Sequence, residues 1–440
     1  MTELPRLSAR TLGAARAEKP HYDRTRPPPI VHVGVGAFAR AHLGVYADDL
    51  LRRGWPATIR GVSLRSPRAE AQLAPQDALY TVLEREPVDP APARVIGSFT
   101  SVATGAEAAI EAIASPSTRL VTLTVTEKGY EVPDGPEARV SAPAVIAAGL
   151  ARRRAAGLHA LVVASMDNLL DNGQVLAAAV LAVAERESPG LARWIADEVR
   201  FPTSVVDRMV PATSSIDVLE ADERLRVHDE AVVVVEHHRS WVIAAAEGLP
   251  PLADVGVDVV ADVAPYQRRK LWLLNGPHSA LAYGGLLAGC QTVAEAAAHP
   301  IVAEFVQRYV DDVLTIAGDG LGADGFSREA LGRFRNPTLG YTCRQVGADG
   351  SRKLPQRLVP PMTARLARGL GIARFAAVAA AWLVALDGLD DPASGAPRAA
   401  RTDEELVTLA LPSAADATVE IVDMLARVRA EGIAVLEALR

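Results

Sequence analysis

The sequence predicts an α/β protein: a parallel-sheet domain followed by a mostly α-helical domain. Three observations predict it. Short β-branched runs recur at Ile30–Val33, Ile59–Leu64, Leu120–Val125, Leu161–Ala164 and Val232–Val235. Alanine-rich stretches of helical length separate some of them, such as Ser141–Ala156 and Gln174–Glu187. Strand alternating with helix implies a parallel sheet with helices on its faces. From about Pro265 onward, long Ala/Leu-rich segments replace the β-branched clusters. The expected domains are therefore residues 1–264 and 265–440, with a ligand cleft near the strand C-terminal ends.

The first run leads into a glycine turn, Ile30-Val31-His32-Val33-Gly34-Val35-Gly36-Ala37-Phe38-Ala39-Arg40. Gly34 and Gly36 supply a tight turn and let the backbone approach a pyrophosphate at the next helix N-terminus. The third glycine of the full dinucleotide fingerprint is missing, and Arg40 falls near its place. A Rossmann-like dinucleotide-binding domain is the expectation, with Gly34, Gly36, Phe38 and Arg40 as its cofactor candidates. A glycine pair after a strand also serves ordinary βα turns.

The second run ends in Arg65-Ser66-Pro67-Arg68. A site for NAD ordinarily places an acid here for the ribose hydroxyls, and this chain offers none before Glu70. Arg65 and Arg68 suit a 2′-phosphate, or else they belong to a solvated loop. The cofactor expectation is NAD or NADP.

The third run ends in Thr124-Val125-Thr126-Glu127-Lys128-Gly129-Tyr130, and the fourth leads to Ser165-Met166-Asp167-Asn168. Thr126, Glu127 and Lys128 stand where a nicotinamide ribose is contacted, or they form a polar strand-end turn.

The helical half opens with Lys270-Leu-Trp-Leu-Leu-Asn275-Gly-Pro-His278-Ser279. On a straight helix, offsets of zero, five and eight fall at about 0°, 140° and 80°. An amine, an amide and an imidazole then share one sector in apolar surroundings. Gly276-Pro277 makes these angles approximate. Desolvation disfavours the ammonium, so Lys270 can serve as a general base. Asn275 supplies an amide donor and His278 an orienting imidazole. The plain alternative is an amphipathic helix whose polar residues face water.

Composition agrees with a globular enzyme. The chain has 440 residues, 49% of them hydrophobic, and a net charge of −7, which gives no footprint for nucleic acid. Cys290 and Cys343 have no metal-ligand spacing, so no metal is expected. Two thiols in so long a chain fit a reducing compartment. No signal-peptide core or membrane span is read, so the expectation is cytoplasmic. The expected partner is a small molecule, with the chain a monomer or small homo-oligomer.

Six segments together resemble the mannitol dehydrogenase family, the polyol-specific long-chain dehydrogenases. They are GVGAFARAH from Gly34, TVTEKGY from Thr124, SMDNLLDNG from Ser165, FPTSVVDRMVP from Phe201, the lysine segment, and RFRNP followed by DGSRKLPQR, Arg333 to Arg357. The resemblance implies an NAD(P)-dependent, metal-independent hydride transfer between a polyol or aldonate and its 2-keto sugar. D-mannonate/D-fructuronate stands slightly ahead of D-mannitol/D-fructose. It implies Lys270 as base, Asn275 and Asn168 as oxyanion-side amides, and His278 beside them. It also implies Asp207 and Lys353 on distal substrate groups, with Gln345 and Arg344 nearby. Alternatives are a sugar-alcohol phosphate dehydrogenase of the same family, or a non-catalytic nucleotide-binding sensor. The chain departs from the family at Gln267, where an acid is usual three residues before the lysine. It departs again at Gln345 (Arg in the family's mannitol 2-dehydrogenases, Gln being nearer the fructuronate-reductase side), Ala244-Ala245 (usually acidic), Met166 (usually Cys) and Leu286 (usually Tyr).

Overall fold

β-Branched residues concentrate in the centre of the first unit and build its sheets. The structure, a computed structural model, describes residues 4–86, 92–131, 139–317, 320–400 and 402–440. The chain divides into two units, Met1–Val263 and Ala264–Arg440. The strands described in the first are β1 (Ile30–Val33), β2 (Ile59–Ser63), β3 (Tyr80–Glu84), β4 (Arg94–Ile96), β5 (Phe99–Thr104) and β6 (Leu120–Leu123). They continue with β7 (Val162–Ser165), β8 (Ser204–Asp207), β9 (Val233–Val235), β10 (Ser240–Ala244) and β11 (Asp258–Val260).

The main sheet has the order β5-β2-β1-β6-β7, with every pairing parallel. Its side chains alternate between two cores. Ile30, Ile59, Leu120 and Val162 enter one, while Val31, Val62, Val121 and Val163 enter the other. A parallel sheet covered on both faces buries its strands completely, which is why these runs read as continuously apolar. The chain leaves β1 toward β2 on one side and later returns to add β6 on the other. That reversal opens a crevice at the carboxyl ends of β1 and β6.

Two smaller sheets have the orders β11-β10-β8 and β4-β3-β9. The run at Val232–Val235 is a strand, as expected, but it pairs with β3 rather than joining the main sheet. An apolar run signals burial without naming its neighbour. β5 fills the sheet edge instead; its sequence FTSVAT is too polar to stand out.

Among the described residues of the second unit, the regular elements are helices, joined by loops and one isolated β-bridge between Thr292 and Thr342. Its central helix, Gly276–Leu287, packs against helices Val293–Ala298, Pro300–Ala317, Cys343–Gly347 and Ala373–Ala385. All of its residues but His278, Leu286 and Leu287 are buried, as an apolar helix packed on several sides requires. Among the described residues, no helix is long and apolar enough to cross a membrane.

Candidate active site

Gly34 ends β1 at φ 99°. A Cβ there would lie 2.1 Å from the Thr124 carbonyl oxygen, so no other residue fits. His32, fully buried in β1, fastens the turn. Its Nε2 lies 3.1 Å from the Gly34 carbonyl and 3.0 Å from Thr124 Oγ1, and its Nδ1 lies 2.8 Å from Thr122 Oγ1. Burial pushes this imidazole down to about 4. Gly36 caps the helix Ala37–Ala41, and a Cβ there would meet nothing within 4 Å. The turn is closed toward β6 and open on its other side, the shape a dinucleotide backbone needs.

That open side is one wall of a pocket of about 540 Å³. Gly36, Arg40, Ser63, Ser66, Arg68 and Ser214 are among the residues lining it. The glycine turn and the end of β2 thus meet in one cavity, which fits an adenosine dinucleotide. Arg40 is mostly committed inward: it donates to the Ala231 carbonyl and lies over the Tyr80 ring. Arg65 is exposed and is not part of the lining. Phe38 does not line it either; its ring stacks on His42 at 5.0 Å.

Asp167, two residues beyond the end of β7, was not singled out from the sequence. Its carboxylate accepts the backbone N–H groups of Val125 and Thr126 and the Tyr130 hydroxyl. Thr126 sits at φ 65°, unusual for a β-branched residue, and this carboxylate holds it there. An acid at a parallel strand's C-terminal end, next to a candidate amide, was the available signal. Asn168 itself is exposed. The side chains of Glu127 and Lys128 lie outside the described residues. Asp207 ends β8, with His238 Nε2 3.5 Å from its carboxylate.

In the second unit, the helix bearing Lys270 is not straight. An α-helix, Ala264–Lys270, runs into a π-helical turn, Leu271–Asn275, and then into Gly276–Leu287. The Gly276 N–H bonds the Leu271 carbonyl, five residues back. Pro277 has no N–H to give and its ring crowds the carbonyl four residues earlier, so a wider turn relieves the clash. One residue inserted this way sets back everything downstream by about 100°. His278 therefore moves from about 80° to within about 20° of Lys270, two turns on. Asn275, inside the bulge, is drawn the same way. The straight-helix angles expected from spacing are corrected accordingly.

Lys270 and Asn275 are 8% and 7% exposed, so both polar ends reach an almost dry surface. Asn275 Oδ1 is buried without a hydrogen-bond partner. An orphaned amide oxygen is costly unless something else arrives to meet it. The His278 ring stacks on Phe334 at 4.6 Å, which fixes its plane. Gln267, one turn before the lysine, is buried as well.

The distal candidates have local duties. Lys353 donates to the carbonyls of Ala348 and Val346 at 2.6 and 3.4 Å, at the end of helix Cys343–Gly347. Gln345 completes that helix's capping box with Thr342, and Arg344 donates to the Gly388 carbonyl. Among the described residues, no cluster of three His, Cys, Asp or Glu side chains is arranged to hold a metal.

A glycine-turn sheet unit, and a helical unit in which Lys270 and Asn275 are buried and His278 is half-buried, fit the dinucleotide-dependent dehydrogenase class. The mannitol dehydrogenase Rossmann domain matches residues 28–251, and the mannitol dehydrogenase C-terminal domain matches residues 262–427. The chain belongs to the mannitol dehydrogenase family. It is 37% identical to a mannitol 2-dehydrogenase of Pyrenophora tritici-repentis, over 86% of this chain and 72% of that one. It is 35% identical to a D-mannonate oxidoreductase of Escherichia coli, over 85% and 83%. The solved ternary complex of Pseudomonas fluorescens mannitol 2-dehydrogenase with NAD and D-mannitol superposes with a TM-score of 0.90 at 31% identity, covering 99% of both chains.

Proposed function

We propose that the protein is an NAD(P)-dependent oxidoreductase that interconverts a polyol or aldonate with its 2-keto sugar. The substrate pairs favoured are D-mannonate/D-fructuronate and D-mannitol/D-fructose, because relatives named for mannitol and for mannonate match it comparably well. The single observation that carries the reading is the π-turn between Lys270 and His278, which supports a common sector for Lys270, Asn275 and His278, the first two of them buried.

A bound nicotinamide supplies the hydride acceptor or donor. The chain's own residues handle the proton and the charge. Neutral Lys270 Nζ takes the hydroxyl proton as the carbon–hydrogen bond breaks, and returns it in the reverse direction. The Asn275 amide donates to that oxygen as negative charge develops on it, and the family resemblance implies the same kind of role for Asn168. His278, held flat on Phe334, orients that oxygen. The family resemblance implies roles for Asp207 and for Lys353 toward distal hydroxyl or carboxylate groups. The nearly dry surface around Lys270 strengthens each of these interactions.

The test is a panel of mannitol, mannonate, fructose and fructuronate with each nicotinamide dinucleotide, followed by the absorbance of the reduced nicotinamide. Turnover of at least one pair is expected. Binding of dinucleotide without turnover of any polyol or aldonate pair would instead identify a sensor.

A further inference from the structure

The pocket beside the glycine turn has an uneven charge. Arg40 and Arg68 both line it. They are close enough that the charge of Arg68 opposes protonation of Arg40, although burial is the larger cause holding Arg40 below its ordinary value. Among the described lining residues the one carboxylate is Glu230, which is ion-paired with Arg6 at 3.1 Å. No carboxylate of the lining stands at the end of β2, where ribose hydroxyls would be received.

The loop after β2 is built around Ser66. Its hydroxyl accepts the Arg68 backbone N–H at 3.3 Å, which leaves its own proton for another acceptor. The hydroxyl and the Arg68 guanidinium thus border the same cavity, with Ser63 behind them and Ser214 and Ser215 also in the lining. Hydroxyl groups and a guanidinium recognise a phosphate, and the one lining carboxylate, Glu230, is paired with Arg6.

We infer that this pocket receives the 2′-phosphate of an adenosine dinucleotide, held by Arg68 and Ser66, so that the protein favours NADP(H) over NAD(H). This rests on the dinucleotide reading above and deepens it. Arg68, rather than Arg65, is the specificity residue, because only Arg68 lines the cavity.

The experiment is calorimetry of the full chain with adenosine 2′,5′-bisphosphate and with adenosine 5′-monophosphate, in parallel with turnover using NADPH and NADH. A charge-assisted contact to phosphate implies that the bisphosphate binds about tenfold to a hundredfold more tightly. In Arg68→Ala the ratio of the two affinities falls toward one. In Ser66→Asp it inverts, because a carboxylate accepts ribose hydroxyls and repels phosphate. Equal affinities in the wild type, or a ratio untouched by Arg68→Ala, overturn the assignment. So does turnover with NADH and none with NADPH, which leaves the oxidoreductase reading standing. Absence of turnover with either coenzyme, together with bisphosphate selectivity, leaves the subsite standing and removes the oxidoreductase reading.

Discussion

Asp167 accepts the backbone N–H of Thr126 at 2.9 Å, across 41 residues of sequence. The same carboxylate takes the Val125 N–H and the Tyr130 hydroxyl, at 3.0 and 2.7 Å. It ties the loop after β7 to the left-handed turn after β6, at the carboxyl edge of the sheet.

That bond makes Asp167 a positioning residue. Asp167→Ala leaves the Val125 and Thr126 N–H groups without their acceptor, each costing about 1–3 kcal/mol where buried, while the Tyr130 hydroxyl keeps Ser165 Oγ. Its KM for the dinucleotide is expected to rise about tenfold or more, with a smaller change in kcat. Asp167→Asn keeps one acceptor oxygen and should recover part of the loss. A KM equal to wild type in Asp167→Ala would show that the clamp serves stability alone.

Pro277 is expected to maintain the π-turn. Pro277→Ala restores a backbone N–H and removes the ring clash, so the helix can relax toward straight α geometry. His278 would then swing away from Lys270 by about 100°. The variant should fold at least as well as wild type and turn over about tenfold or more slowly, as small misplacements of catalytic groups do. Unchanged kcat in a folded Pro277→Ala protein would detach the turn from function.

The amides are separable by kinetics. Asn275→Ala and Asn168→Ala should each lower kcat by about 10²–10³, the usual cost of one oxyanion donor. Dinucleotide affinity should barely move. A variant altered only in melting temperature would mark its residue as structural.

Two buried histidines set an acid limit. Burial pushes His32 down to about 4 and His42 down to about 3, from an ordinary value of 6.5. His42 Nδ1 also lacks a partner in its apolar site. Between pH 6.5 and these lower values the unfolded chain binds more protons than the native one. Stability is therefore full above pH 6.5, falls as pH drops below it, and stops falling from this cause below about 3. Melting temperature should decline through this window, and His32→Gln should have a shallower slope. A melting temperature flat from neutral pH to about 4.5 would contradict the linkage.

Much of this was legible in the sequence. β1, β2, β6 and β7 declared themselves through β-branched runs because both sheet faces are buried. β5 did not, because Thr100 and Ser101 face a less enclosed sheet edge. The lysine segment announced its chemistry, yet its geometry was hidden: Gly276-Pro277 reads as a kink, and only the backbone shows an inserted residue. The Asp167 clamp depends on two strand ends meeting in space, which spacing along the chain does not encode. Arg65 and Arg68 look equivalent as charges; the direction of the loop after β2 separates them.

The proposed hydride transfer depends on Lys270 as the general base. The most direct measurement is kcat for Lys270→Ala on the best substrate, with and without added small primary amines. The expected loss is about 10²–10⁴, with dinucleotide binding retained and part of the rate restored by the amine in proportion to its neutral fraction. Near-normal kcat in the variant, or a loss that no amine restores together with loss of dinucleotide binding, would contradict the assignment.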